Sequence, residues 1–265
     1  MRINGVELHV EPPVGEGELL VLIHGGWTDH DTFAALIEPL ARSFRVVRYD
    51  RRGHSRSERG AGPPPRRTDE DDLAALIGAL GGEPAHLVGT SYGAAISLAL
   101  AGRQPELVRS VVAHEPPLLG LVSMPAIEAA FGSIQDQLAS GDVAGGTRRF
   151  FEEVILGPGG WTLIPEPIRR VAIANAQTFI DLREDPNWGA LDVAAVSRFP
   201  GQIVITRGDS GPGWLAQVAL AVADLTGRDT RVIPGAGHSP HLTHPQAFAT
   251  LILELNADQA IRPAA

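Results

Sequence analysis

The stretch that decides the fold is Leu87-Val88-Gly89-Thr90-Ser91-Tyr92-Gly93. The apolar run 85–88 leads into it, and the small apolar residues 94–100 follow with the composition of a helix. A strand, a Gly-x-Ser-x-Gly turn and a helix in this order form a nucleophile elbow, which presents a serine at the carboxyl edge of a sheet. The two glycines let strand and helix approach without Cβ clashes. The pattern predicts that Ser91 is a nucleophile.

Three other strand-like runs end in turns that carry polar groups. Residues 19–23 lead into His24-Gly25-Gly26-Trp27, where backbone N–H groups can face a developing oxyanion. Residues 46–50 lead into the charged turn 51–55, and the late strand 231–234 leads into Gly235-Ala236-Gly237-His238. A nucleophile that precedes its histidine in the chain is typical of one hydrolase class, and differs from the order in chymotrypsin-like and subtilisin-like proteases.

With these four motifs in order, the chain resembles the α/β-hydrolase superfamily over nearly its whole length. The resemblance implies an α/β fold with a mostly parallel eight-stranded sheet flanked by helices. The alternation of strands and helices favours the same arrangement. Between residues 118 and 198 the alternation stops, and only helical periodicity remains, with the third helix of this segment expected over residues 166–183. We therefore expect a core of residues 1–117 and 199–265 and a helical cap (lid) of residues 118–198, inserted after strand 6.

His238 is the expected general base for Ser91, because a serine hydroxyl is a weak nucleophile without one. His241 and His244 follow closely and are rivals by composition, but the resemblance favours His238. It also implies an oxyanion hole made by the backbone N–H groups of Gly26 and Tyr92.

Three further residues are expected in or near the substrate pocket: Trp27 and His241 as parts of its wall, and His114 because it adjoins a candidate acid.

The acid that completes the site has two candidates. In most members of the superfamily it follows the seventh strand, where Asp209 lies one residue after Gly208. Some relatives, haloalkane dehalogenases among them, place it after the strand that follows the nucleophile helix, where Glu115 lies. Either carboxylate would orient His238 and stabilise its imidazolium form. We favour Glu115 and interpret Asp209 alternatively as a turn-forming residue.

Composition limits the possible partners. The formal net charge is −9 and no basic cluster is present, which disfavours nucleic acid and anionic membrane surfaces. There are no cysteines, so disulfides are excluded and a cytoplasmic location is the natural expectation. Asn4-Gly5 indicates a hairpin near the start of the chain rather than a signal peptide. No metal-ligand spacing or nucleotide fingerprint stands out, so neither metal nor cofactor is expected.

These features predict a serine hydrolase that cleaves an ester, lactone or thioester of a small, largely apolar molecule through an acyl-enzyme. Serine at the elbow argues against epoxide hydrolases and dehalogenases, which use aspartate there in this superfamily. Two alternatives stay open at the level of sequence. One is a cyclase, lyase or acyl transferase of small-molecule biosynthesis, and the other is a non-catalytic ligand receptor on the same fold.

Overall fold

The structure, a computed structural model, describes the backbone of residues 1–261 and the side chains of residues 1–254. The strands are β1 (Arg2–Ile3), β2 (Val6–Glu7), β3 (Glu18–Ile23), β4 (Phe44–Arg48), β5 (Ala85–Thr90), β6 (Val108–His114), β7 (Gln202–Gly208) and β8 (Asp229–Ile233). The helices are α1 (Ala34–Leu40), α2 (Arg66–Ala79), α3 (Tyr92–Arg103), α4 (Pro125–Ala139), α5 (Val143–Arg149), α6 (Glu166–Ala174), α7 (Gln177–Glu184), α8 (Val193–Arg198), α9 (Gly213–Thr226), α10 (Pro240–Thr243) and α11 (Pro245–Ile261).

The main sheet has the strand order β4-β3-β5-β6-β7-β8, and every neighbouring pair is parallel. It contains six strands rather than the expected eight. The difference lies at the amino terminus, where β1 and β2 pair only with each other across the turn Asn4-Gly5. Both turn residues have positive φ (45° and 84°), as a tight two-residue hairpin requires.

The central strands β3 and β5 are buried on both faces of the sheet, which explains their apolar runs. Within β3, Leu19, Val21 and Ile23 pack into one core cluster. Leu20 and Leu22 pack into the other cluster, together with residues of α1 and α11. Within the described residues, no helix combines the length and the apolar character needed to cross a membrane. Parallel strands bring all their carboxyl ends to one edge, so the turns that follow β3, β5, β6 and β8 meet there.

Residues 118–198 lie between β6 and β7 and contain α4 to α8. Every residue of this range is described, and none is in a strand. The single helix expected over 166–183 is instead two helices, α6 and α7, with Asn175 between them. Asn175 is buried, and its side chain accepts a hydrogen bond from the N–H of Ser55 and donates one to the carbonyl of Thr28. These bonds attach the helical segment to the core loops. Of the expected core range 199–265, residues 262–265 lie outside the described part of the chain.

Candidate active site

The elbow has the geometry that its sequence predicts. Ser91 lies between β5 and α3 with φ 52° and ψ −123°. Its N–H donates to the carbonyl of His114 at 2.8 Å. A Cβ on Gly93 would lie 2.1 Å from the carbonyl oxygen of Ile23, so only glycine allows α3 to approach β3 this closely. The elbow therefore holds Ser91 in a strained conformation at the carboxyl edge of the sheet.

His238 lies in the turn after β8, and its partner is Glu115. The Nδ1 of His238 donates to Oε2 of Glu115 at 2.7 Å. The other carboxylate oxygen, Oε1, accepts from the N–H of Gly208 at 3.0 Å. Glu115 is 1% exposed. Burial raises the pKa of this carboxyl, but the hydrogen bond and charge of His238 lower it by a larger amount, so the net shift of the pKa is downward. The geometry thus provides an ionised acceptor that fixes the orientation of His238.

Asp209, the other candidate acid, is directed elsewhere. It is exposed, and its Oδ1 accepts from the N–H of Gly235 at 2.7 Å and from the hydroxyl of Ser210 at 3.2 Å. It therefore closes the turn beside β8, as its alternative interpretation holds. The resemblance to the superfamily places the more usual acid position three residues past Gly208, at Gly211, and a Cβ there would lie 3.3 Å from the backbone nitrogen of His238.

Strained backbone is concentrated around this site. Five non-glycine residues of the described chain have positive φ, and three of them are Trp27 (66°), Ser91 (52°) and Glu115 (44°). These three follow β3, β5 and β6, the neighbouring central strands. Such conformations cost about 1–3 kcal/mol each and persist where the surrounding structure holds them for function.

The loop 24–27 is tied to the turn after β4. The N–H of Arg51 donates to Nε2 of His24 at 2.9 Å, so the ring proton is on Nδ1, which donates to the carbonyl of Gly25 at 2.8 Å. Arg51 Nη2 also donates to that carbonyl at 3.2 Å and to Nε2 of His54 at 3.0 Å. The carbonyl of Gly25 and the N–H of Gly26 belong to the same peptide group. Because His24 and Arg51 both donate to that carbonyl, the N–H of Gly26 is fixed in a loop that lines the cavity beside Ser91.

Ser91 and His238 line one cavity, called here the aromatic cavity. The candidate oxyanion-hole residues Gly26 and Tyr92 line it as well, together with Trp27 and His241. Seven Phe and Trp side chains line it: Trp27, Phe131, Phe150, Phe151, Phe179, Trp188 and Trp214. Among the described residues that line it, none is Asp, Glu, Lys or Arg. The cavity therefore suits an uncharged, apolar group, because an unpaired charge is costly to bury.

The two histidines expected in or near the pocket, His241 and His114, differ in whether they line the cavity. His241 lies in the cavity wall, with Nε2 hydrogen-bonded to the hydroxyl of Thr32 at 2.9 Å. Burial lowers its pKa to about 3. His114 is not among the lining residues: it is fully buried, bonded to the hydroxyl of Thr206 at 3.0 Å, and its ring lies 5.8 Å from that of Phe248. As the last residue of β6 it faces the α11 side of the sheet, and burial lowers its pKa to about 4.

Asn175 carries no functional signal in the linear sequence and reaches the core loops only through tertiary packing. The Phe and Trp residues of segment 118–198 are recognisable in the sequence as an apolar set, but which of them line the cavity is determined by packing. Ligand-type atoms of His9, His30 and Asp50 lie within 4.8 Å of one another, although the three are far apart in sequence. Nδ1 of His30 donates to Oδ1 of Asp50 at 2.6 Å, which binds the loop after β3 to the end of β4.

Another serine–histidine–carboxylate contact lies at the opposite, amino-terminal edge of the sheet. Nδ1 of His86 is 2.7 Å from the hydroxyl of Ser110, and its Nε2 is 3.0 Å from Oε2 of Glu18. None of the three lines the aromatic cavity, and Ser110 lies within strand β6 rather than on an elbow. It is a chemically matched control for Ser91.

Comparison with known proteins agrees with this architecture. The model of the alpha/beta hydrolase family matches residues 20–251, and the chain belongs to this family. It is 29% identical over 244 residues to 2-(acetamidomethylene)succinate hydrolase of Mesorhizobium japonicum, covering 88% of this chain and 85% of that one. An uncharacterised hydrolase of Bacillus subtilis, YraK, is 36% identical over 138 residues, a match that spans only 51% of either chain. The crystal structure of the enol-lactonase from Burkholderia xenovorans superposes with a TM-score of 0.80 at 20% identity, covering 96% of this chain and 98% of that one.

Proposed function

We propose that this protein is a serine hydrolase that cleaves an ester, lactone or thioester of a small, largely apolar, uncharged molecule through an acyl-enzyme. The observation that carries the proposal is the 2.7 Å hydrogen bond between Glu115 and His238, in a cavity that His238 shares with Ser91. The hydrolases among its relatives support the reaction class, and the absence of charged side chains from the cavity wall supports the substrate class.

In the proposed reaction, Nε2 of His238 takes the proton from the hydroxyl of Ser91 as its oxygen attacks the substrate carbonyl. The carbonyl π electrons move to oxygen, and the N–H groups of Gly26 and Tyr92 stabilise the resulting oxyanion. When the tetrahedral intermediate collapses, the bond from the carbonyl carbon to the leaving oxygen or sulfur breaks, and the leaving group takes the proton from His238. Ser91 is then acylated. Water, deprotonated by His238, then attacks the acyl group and releases the acid. Glu115 stays ionised throughout and stabilises the imidazolium.

The test uses naphthyl butanoate and a neutral aryl-substituted lactone with wild type, Ser91→Ala and Ser110→Ala. We expect Ser91→Ala to lose at least about 10⁴-fold in kcat, as removal of a triad member does. Ser110→Ala is expected to retain wild-type turnover, because Ser110 lies at the other edge of the sheet. Turnover retained by Ser91→Ala would remove Ser91 from the mechanism.

Product analysis separates hydrolysis from transfer. With an added alcohol at concentrations well below that of water, a hydrolase releases mainly the free acid. A product that is mainly the new ester would identify an acyl transferase instead.

A further inference from the structure

A second cavity lies between the loop 24–27 and the turn after β4, and is called here the polar cavity. It shares four lining residues with the aromatic cavity: Gly26, Tyr92, Phe179 and Leu182. Its remaining wall is mostly polar, with Arg51, Arg52, His54, Arg59, Asp69 and Asp181. The two cavities therefore adjoin at the candidate oxyanion hole, one with an apolar wall and the other with a polar wall.

Two buried donors in the wall of the polar cavity have no hydrogen-bond partner among the described residues. Tyr92 is 4% exposed and its Oη is unpaired. Arg51 is 3% exposed and its Nε is unpaired, although both of its Nη atoms are bonded. The guanidinium carbon of Arg51 lies 5.1 Å from the centre of the Tyr92 ring, so the two donors belong to one part of the wall. A buried donor without an acceptor costs about 1–3 kcal/mol, and each such group in a native protein requires an explanation.

The charges around the polar cavity are balanced. Each arginine has its own carboxylate: Arg51 with Asp69 at 3.1 Å, Arg52 with Asp72 at 2.7 Å, and Arg59 with Asp181. Burial and the charge of Arg51 hold the pKa of His54 well below its usual range, so that ring is neutral. An anionic ligand would therefore find donors but no unpaired cation, and its desolvation would be poorly compensated. An uncharged oxygen acceptor fits better.

We propose that the polar cavity is a substrate subsite for an uncharged carbonyl oxygen of a ketone, ester or amide, which accepts hydrogen bonds from Oη of Tyr92 and Nε of Arg51. This inference rests on the proposed function, because Tyr92 also contributes its backbone N–H to the oxyanion hole. The substrate then has two carbonyl groups. One is cleaved at Ser91 with an apolar group in the aromatic cavity, and the other lies behind Tyr92.

The test compares kcat/KM for isosteric esters, each normalised to its rate of hydroxide hydrolysis. The first pair is naphthyl levulinate and its analogue with C=CH₂ in place of the ketone C=O. The second pair reverses the ester: phenylpropanoate esters of 4-hydroxybutan-2-one and of the corresponding methylene alcohol. Naphthyl hemisuccinate provides the anionic comparison. We expect wild type to prefer the ketone by about tenfold in at least one pair, since a buried donor otherwise stays unpaired.

The decisive variant is Tyr92→Phe, which removes Oη and keeps the backbone N–H. The ketone preference should fall to about one in this variant, whatever its absolute rates. Tyr49→Phe is the matched control: Tyr49 is the chain's other tyrosine, is buried, and lines neither cavity, so the preference should be retained.

Equal rates within both pairs in wild type would overturn the subsite while the proposed hydrolase activity stands. An unchanged ketone preference in Tyr92→Phe, or faster cleavage of the hemisuccinate than of the ketone ester, would also overturn it. If wild type hydrolyses none of these esters, the proposed function itself fails, and the subsite with it.

Discussion

Lowering the pH from about 7 to about 5 should destabilise the protein through its buried histidines. Burial holds the pKa of His241 at about 3 and that of His114 at about 4, against 6.5 in the unfolded chain. Between the folded and unfolded values the unfolded chain binds more protons, so stability is fully present above pH ~6.5 and is lost as the pH falls. Each of these two histidines costs about 2 kcal/mol of unfolding free energy at pH 5. The pKa values of His24 and His54 are also lowered by burial, which adds to the loss in the same direction.

The assay is urea denaturation of wild type, His241→Gln and His244→Gln at both pH values and constant ionic strength. We expect the pH-dependent loss of unfolding free energy to be smaller by about 2 kcal/mol in His241→Gln than in wild type. His244, which follows on the same segment but is only half-buried, serves as the control and should leave the loss unchanged. The same loss in His241→Gln as in wild type would refute the reasoning, because His241 would then not be buried in its neutral form.

Three further predictions concern the acid, the elbow and the cap. Glu115→Gln should lower kcat by about 10⁴-fold and Asp209→Asn by less than about tenfold, because of these two carboxylates only Glu115 contacts the candidate base His238. Steady-state kinetics on naphthyl butanoate measures both losses, and equal losses would contradict the assignment of Glu115 as the acid. Gly93→Ala should lower the unfolding free energy by at least about 3 kcal/mol, because the new Cβ would clash with a backbone oxygen of β3. Gly26→Ala should change the unfolding free energy by less than about 1 kcal/mol, because no atom lies within 4 Å of the position of its Cβ. Denaturation curves measure both, and equal effects would mean that close approach at the elbow is not limiting. Asn175→Ala should lower the unfolding free energy by about 1–3 kcal/mol and speed amide hydrogen exchange in α6 and α7, because its bonds to Ser55 and Thr28 are lost. Unchanged exchange would show that this side chain does not attach the cap to the core.

Local sequence signals predict the part of the site that depends on strand ends. Ser91 and His238 are recognisable because each follows a predicted strand in a glycine-containing turn, and parallel strands bring such turns to one edge. The family follows from the same motifs. For the acid, the sequence favours Glu115 over Asp209 but leaves both open. Which carboxylate reaches His238 depends on the turn geometry at the ends of β6 and β7.

Other features depend on packing that no short stretch encodes. The strand count differs because β1 and β2 are too short to extend the main sheet and pair only with each other. The expected third cap helix is divided at Asn175 because the side chain bonds to loops about 120 and 147 residues away in sequence. The polar cavity involves residues of four separate segments, and its unpaired donors become visible only when burial is known.

Activation of Ser91 by His238, itself held by Glu115, can be measured by intact mass after treatment with a fluorophosphonate probe. The probe is applied to wild type, Ser91→Ala and Ser110→Ala. We expect one adduct on wild type and on Ser110→Ala, and none on Ser91→Ala. An adduct that persists on Ser91→Ala, or no adduct on wild type, would contradict this activation.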